Sequence, residues 1–163
     1  MAKKTKVSAT PATVWLKQLS VTFTEHVYDY VDPGGANWAA EALGLPPHAV
    51  VKTLIMQDER AQPLCVLMHG DREVSTKALA REIGVKSVVP CAPEVAQRHS
   101  GYMVGGTSPF GLKKAMPVFV HVSVLALAQM FINGGRRGYL LGLSPQVLTQ
   151  QLGAQAVDCA VAE

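Results

Sequence analysis

The feature that most constrains the fold of this 163-residue chain is the clustering of its glycines, because eight of the fourteen fall in two short stretches. Residues 101–114 read GYMVGGTSPFGLKK, and residues 134–142 read GGRRGYLLG. Glycine adopts backbone conformations with positive φ and lets another group approach the backbone closely. The clustering therefore predicts two specialised loops, the first of which can direct several N–H groups at one anionic or carbonyl oxygen.

The first stretch matches none of the common glycine motifs. Gly106 and Gly111 have the spacing of a P-loop, but Leu112 occupies the position of its lysine. Phe110 stands where a nucleophile elbow needs glycine. A glycine-rich turn between strands is the alternative interpretation of this stretch. The second stretch either presents two arginines to phosphates or forms a hairpin turn with both arginines solvated.

Composition indicates one globular domain, since 48% of the residues are hydrophobic and 17% are charged. We assign residues 1–9 to a basic N-terminal tail and residues 10–163 to the domain. The formal charge of +3 permits a nucleic-acid partner without requiring one. Three cysteines build no disulfide framework, and the longest apolar stretch, residues 118–130, is too short to span a bilayer. We therefore expect a cytoplasmic protein with no membrane segment.

Periodicity and capping residues predict helices and strands in irregular alternation. The expected helices cover residues 11–19, 38–43, 76–84, 93–100 and 145–152, with Thr10, Asn37 and Ser75 as N-caps. The expected strands cover residues 21–28, 50–57, 64–69, 85–89, 104–106, 118–121, 129–133, 139–143 and 156–161. This order favours a mixed sheet over a regular βαβ repeat.

Lys52 lies in a strand whose two faces both look buried, with Val50 and Leu54 on its own face. An unpaired ammonium group there would cost on the order of several kcal/mol. Its side chain therefore either reaches solvent at the strand end or meets an anion in a pocket. His26 and Tyr28 share one face of the preceding strand. They either form a solvated surface or place an imidazole and a hydroxyl beside the lysine.

The sequence predicts no metal site and no cofactor. Cys65 and His69 lie about 13 Å apart along one strand, which is too far to chelate one ion. Cys91 and His99 are separated by about 12 Å along a helix. The sequence thus indicates a binding site, built from Lys52, Tyr28 and the glycine loops, without an evident protein nucleophile.

Six short motifs, taken together and in order, resemble the YbaK/EbsC family of free-standing aminoacyl-tRNA deacylases. The motifs are TPA at residues 10–12, HVY at 26–28, KTL at 52–54, GVK at 84–86, GYMVGGTSP at 101–109 and GGRRG at 134–138. The fifth motif is specific, whereas the others are weak singly and strong together. The family is also similar to the editing domain of bacterial prolyl-tRNA synthetases.

The resemblance implies a single α/β domain with a curved, partly barrel-like mixed β-sheet surrounded by helices. Lys52 would hold the 3′-terminal nucleotide, Tyr28 would position the substrate, and the loop from Gly105 to Pro109 would contact the aminoacyl end. The catalytic residues expected on this basis are Lys52, Tyr28, Gly105 and Ser108. The expected substrate-binding residues are His26, Gly101, Gly106, Thr107, Pro109, Gly134, Gly135 and Arg136.

The resemblance further implies a trans-editing deacylase that removes wrongly attached cysteine from tRNA(Pro). The same activity would extend to Cys-tRNA(Cys). Its partners would be the 3′ aminoacyl end of misacylated tRNA and, transiently, prolyl-tRNA synthetase. In the cysteine-specific members the substrate's own thiol attacks the ester carbonyl, which requires no protein nucleophile. Three alternatives stay open: hydrolysis of an alanine ester by bound water, a non-catalytic tRNA-binding module, and a small-ligand protein with the same pocket.

Overall fold

The computed structural model describes residues 9–162, so the basic tail predicted at residues 1–9 lies outside the described part of the chain except for Ala9. The helices are α1 Pro11–Gln18, α2 Ala36–Leu43, α3 Thr76–Ile83, α4 Pro93–Ser100 and α5 Gln146–Gln150. The strands are β1 Thr24–Val27, β2 Val50–Asp58, β3 Pro63–His69, β4 Val88–Pro90, β5 Val118–His121, β6 Met130–Asn133, β7 Tyr139–Leu143 and β8 Gln155–Val157.

These strands form one mixed sheet in the order β1-β7-β6-β2-β3-β5-β8, and β4 pairs with the end of β2. The pairs β2–β6, β3–β5 and β5–β8 are parallel, whereas the remaining pairs are antiparallel. The prediction of an α/β fold with a mixed sheet is therefore confirmed. Among residues 9–162, no helix has both the length and the apolarity that crossing a bilayer demands.

The two faces of the sheet carry different cores, because side chains alternate along each strand. On one face, which we call the core face, Val51 and Ile55 of β2 join a large cluster that includes Leu16 of α1 and Leu148 of α5. On the opposite face, the cavity face, α2 and α3 cover two smaller and separate clusters. Lys52 lies on the cavity face, between those clusters.

Local sequence signals place most elements to within a few residues, although β1, β4 and β8 are shorter than the strands predicted at 21–28, 85–89 and 156–161, and two assignments are wrong. Asn37 is not an N-cap, because Gly35 with φ 97° precedes α2 and the helix already begins at Ala36. Residues 104–106 do not form a strand, because the N–H of Gly106 donates to the carbonyl of Met103 at 2.8 Å and closes a turn. The positive φ of 91° at Gly105 fits this turn and not an extended chain.

Thr10 links the start of α1 to the second glycine stretch. Its Oγ1 accepts a hydrogen bond from the N–H of Thr13 at 3.1 Å, and Thr13 Oγ1 accepts one from the N–H of Thr10 at 2.9 Å. The same Thr10 hydroxyl donates to the buried carbonyl of Gly134. One side chain thus caps a helix and anchors a loop that lies 124 residues further along the chain.

We expect Thr10→Ala to lower the free energy of unfolding by about 2–4 kcal/mol, since it removes a cap and leaves the Gly134 carbonyl unpaired. Urea denaturation measures this change. Ser75→Ala is the matched control, because Ser75 caps α3 through one bond to the N–H of Ala78 and should cost only about 1 kcal/mol. Equal losses in the two variants would contradict the anchoring role of Thr10.

Candidate functional site

A gap in strand pairing along β2 creates the main cavity. On this edge of β2, strand β6 pairs only with Val50 and Val51, and β4 pairs only from Met56 onward. Within the described residues, no strand pairs with the stretch between them on that side. A cavity of about 520 Å³ lies along this stretch and is mostly apolar, as is typical of ligand pockets.

Several segments from distant parts of the chain line this cavity. Ala36 and Ala39 of α2 contribute apolar groups, and Cys91 and Ala96 contribute from the start and middle of the α4 region. The polar lining comes from groups that can bind or orient a ligand. These groups belong to Tyr28, Lys52, Thr53, Glu73, Gly105, Thr107 and Asn133.

Lys52 projects into the cavity and is held there by one weak partner. Its Nζ lies 3.3 Å from Oε1 of Glu73, and the side chain of Lys52 is 19% exposed whereas that of Glu73 is 81% exposed. Ion pairs with so exposed a partner are worth about 0–1 kcal/mol. An incoming phosphate or carboxylate can therefore replace Glu73 at little cost, which makes Lys52 an available anion-binding group.

Tyr28 and Thr53 add neutral polar groups near the lysine. Burial raises the pKa of the Tyr28 hydroxyl, which therefore stays protonated and able to donate at neutral pH. The Oγ1 atom of Thr53 is buried and has no hydrogen-bond partner within the described residues. Because side chains alternate along β2, Thr53 points to the face of Val51 and Ile55, and its unpaired hydroxyl is a local cost to stability.

The two glycine stretches pack directly against each other beside the cavity. Nδ2 of Asn133 donates to the carbonyl of Gly105 at 3.2 Å, and Oδ1 of Asn133 accepts from the N–H groups of Gly135 at 2.7 Å and Arg136 at 3.1 Å. A Cβ atom on Gly106 would lie 2.8 Å from the backbone of Arg136. The loops that the sequence predicted separately thus form one unit.

Arg137 ties this unit to the loop after β1. Its Nε donates to the carbonyl of Val104 at 3.0 Å, and its guanidinium lies 4.9 Å from the centre of the Tyr30 ring. The same tyrosine hydroxyl lies where a side chain on Gly105 would clash. The glycine at position 105 is therefore required by crowding as well as by its positive φ.

The structure brings four of the predicted site residues to the cavity, namely Lys52, Tyr28, Gly105 and Thr107. Gly106 lies directly behind them against Arg136, which itself stacks on the ring of Tyr139 at 5.5 Å. Their catalytic and binding roles stay predictions.

The other predicted site residues do not line the cavity. Ser108 is fully buried and its Oγ accepts a hydrogen bond from the N–H of Phe110 at 3.2 Å. His26 lies 2.7 Å from the hydroxyl of Thr24 and edge-on to Phe131. The remaining members do not line it either; one is the C-cap of α4 and the others lie in loops, and they are Gly101, Pro109, Gly134 and Gly135.

Sequence reasoning missed Glu73, Thr53, Asn133 and Tyr30, and it assigned Arg137 to phosphate binding without its bond to Val104. Asn133 had a usable signal, because an asparagine before two glycines is typical of a side chain that binds its own turn. Nothing in the local sequence marks Glu73 as the partner of a lysine 21 residues earlier.

Within residues 9–162, the cysteine that lines the cavity is protonated, and the one cluster of potential metal ligands lies outside the cavity. Burial raises the pKa of Cys91, which lines the cavity, so its thiol stays protonated at neutral pH. His48, His69 and Asp71 lie close together outside the cavity. Both ring nitrogens of His69 are already hydrogen-bonded, to the carbonyl of His48 and to Ser123 Oγ. The stacked rings of His48 and His69, 9° from parallel, do not aim their lone pairs at a common point.

The sequence of this chain is similar to a family of editing domains and to proteins that contain such domains. The family model described as the aminoacyl-tRNA editing domain matches residues 35–150. EbsC of Enterococcus faecalis is 27% identical over 164 residues, and the match covers 100% of both chains. Proline–tRNA ligase of Limosilactobacillus fermentum is 25% identical over 105 residues. That match covers 62% of this chain but only 18% of the ligase.

Solved structures share the fold over nearly the whole chain. The hypothetical protein APE2540 aligns with a TM-score of 0.84 and 26% identity, covering 93% of this chain and 99% of that one. A structure described as that of a trans-editing enzyme for prolyl tRNA synthetase aligns with a TM-score of 0.79 and 21% identity. The latter alignment covers 93% of this chain and 96% of the other.

We expect Asn133→Ala to lower the free energy of unfolding by about 2–3 kcal/mol, because it removes three hydrogen bonds that hold the two glycine loops together. Gln146→Ala is the matched control, since it removes one exposed side-chain hydrogen bond, from Gln146 Nε2 to the carbonyl of Leu125, away from both glycine loops. Its cost should be about 1 kcal/mol. Urea denaturation distinguishes the two values, and identical stabilities for both variants would contradict the bridge.

Adenosine monophosphate can stand in for the 3′-terminal nucleotide that Lys52 is expected to hold. We expect Glu73→Gln to increase the affinity for adenosine monophosphate by about two- to fivefold, because Lys52 loses its competing carboxylate. Isothermal titration calorimetry measures the dissociation constant. Asp71→Asn is the control, since Asp71 is also exposed but pairs with His48. An unchanged or weaker affinity in Glu73→Gln, or an equal gain in the control, would show that Glu73 does not compete for Lys52.

Proposed function

The chain belongs to the aminoacyl-tRNA editing domain family and is an aminoacyl-tRNA deacylase of the YbaK/EbsC type; from that premise, we propose that its substrate is cysteine wrongly attached to tRNA(Pro). EbsC, the full-length relative, carries the name of a Cys-tRNA(Pro)/Cys-tRNA(Cys) deacylase. We place the activity in the cytoplasm. We also propose a transient complex with prolyl-tRNA synthetase, because the chain matches a segment of the proline–tRNA ligases.

The observation that carries this proposal is the weakly held ammonium group of Lys52 in a largely apolar cavity. The phosphate of the 3′-terminal nucleotide would displace Glu73 and pair with Lys52. The aminoacyl ester would then extend toward Gly105 and Thr107 on the facing loop, because these residues line the same cavity. A largely apolar surround suits the small, neutral side chain of cysteine.

The glycine loop supplies candidate donors for the oxyanion. The N–H of Gly106 is committed to the carbonyl of Met103. The N–H groups of Gly105 and Thr107 donate to no acceptor within the described residues. A donor of this kind contributes about 3–4 kcal/mol to stabilising a tetrahedral intermediate.

We propose that cleavage is substrate-assisted, since no activated nucleophile of the protein lines the described cavity. The sulfur of the substrate cysteine attacks its own ester carbonyl and forms a cyclic thioester. The ester C–O bond breaks, and the thiol proton goes to the leaving ribose oxygen. Holding thiol and carbonyl in contact supplies the rate acceleration. The neutral hydroxyl of Tyr28 would position the substrate in the same cavity.

We expect Lys52→Ala to reduce the deacylation of Cys-tRNA(Pro) by about 10- to 100-fold, because it removes a charge-assisted hydrogen bond to the substrate phosphate. Release of radiolabelled cysteine measures the rate. Lys17→Ala is the control, since Lys17 lies at the end of α1, which packs on the core face. Turnover at the wild-type rate in Lys52→Ala would refute the role of Lys52.

A panel of tRNA(Pro) and tRNA(Cys) charged with cysteine, alanine or serine tests the substrate and the mechanism, with and without prolyl-tRNA synthetase. Cyclisation requires the thiol, so we expect cysteine esters to be cleaved and alanine esters to be stable. Cleavage of alanine esters would show that bound water attacks the ester and that the cyclisation mechanism is wrong. Binding of tRNA without cleavage of any ester would instead identify a non-catalytic module.

A further inference from the structure

A second cavity adjoins the first at the start of α3. It has a volume of about 450 Å³ and lies between α3 and the segment leading into β4. Thr76 lines both cavities. A ligand bound in the first cavity can therefore continue into the second along one surface, which we call the α3 groove and define by Thr76, Lys77, Arg81 and Lys86.

The α3 groove carries three cations that form no salt bridge with the carboxylates around them. Lys77, Arg81 and Lys86 are all exposed, and none of them forms a salt bridge within residues 9–162. Lys77 and Arg81 are four residues apart on one helix, so they lie on the same face. Two neighbouring carboxylates stay charged but are held by backbone groups and not by these cations: Glu82 accepts from the N–H of Asp158 at 2.7 Å, and Glu59 accepts from the N–H of Lys86 at 3.0 Å.

The opposite rim of the first cavity also contains arginines, but these already have partners. Arg136 stacks on Tyr139, and Arg137 stacks on Tyr30 while it donates to the carbonyl of Val104. Binding a phosphate through Arg137 would require breaking its hydrogen bond to Val104, which helps to hold the glycine loops, whereas the side chain of Arg136 is held by stacking alone within the described residues. The cations of the α3 groove can receive an anionic chain without such a loss.

We propose that the α3 groove binds the phosphate backbone of the RNA strand that leads to the 3′ end of the tRNA. This inference rests on the proposed function, which puts the terminal nucleotide at Lys52. The strand must then leave the first cavity over one rim, and the rim at Thr76 opens onto a row of cations. Proteins hold RNA helices and single strands largely through such phosphate contacts, which need no particular base sequence.

The test compares Lys77→Glu and Arg81→Glu with the wild type in binding uncharged tRNA(Pro), followed by fluorescence anisotropy at several salt concentrations. Each variant should bind about five- to tenfold more weakly at low salt. The slope of log affinity against log salt should fall by about one per lost contact. Affinity for adenosine monophosphate, which the proposed function puts at Lys52 in the first cavity, should be unchanged, and this result would show that each variant is folded. Lys17→Glu is the matched charge reversal outside the groove.

Three results would overturn the inference: wild-type tRNA affinity and salt slope in both groove variants, an equal loss in Lys17→Glu, or a parallel loss of affinity for adenosine monophosphate. The proposed function fails on a different measurement. If no aminoacyl ester is cleaved while the groove variants still weaken tRNA binding, the groove stands as an RNA-binding surface and the deacylase proposal falls.

Discussion

The unpaired stretch of β2 is the constraint on which the site depends. Strands β6 and β4 each cover only one end of this edge, which leaves Lys52, Thr53 and Leu54 beside a cavity. An open strand edge normally invites pairing with another strand. Here α2, the residues before α3 and the first glycine loop lie beside this edge and line the cavity together with β2.

The glycine loops complete that space because they can approach each other so closely. Gly106 lies against the backbone of Arg136, and Asn133 bonds to both loops. Larger residues would separate the loops and withdraw Gly105 from the cavity. Glycine thus serves mutual packing of two chain segments here, as well as the presentation of N–H groups.

The cations near the cavity differ in how strongly their present partners hold them. The arginines beside the glycine loops hold structure, whereas Lys52 has one weak and exposed partner. Surface pairs of this kind contribute little to stability, so they can be exchanged for a ligand anion. The division explains how a chain with a net charge of only +3 can bind a polyanion.

The sequence by itself determined that five helices form, most of their caps, the strand pair β2–β3 and the mixed sheet, because caps, turns and alternation act over a few residues. It also singled out Lys52 and Gly105. The tertiary structure alone decided that Glu73 pairs with Lys52 and that Asn133 joins the two glycine loops. Glu73 is 21 residues from Lys52 in the sequence, and Asn133 is 28 residues from Gly105. Contacts at such separations follow from strand order and packing, which no local pattern in the chain encodes.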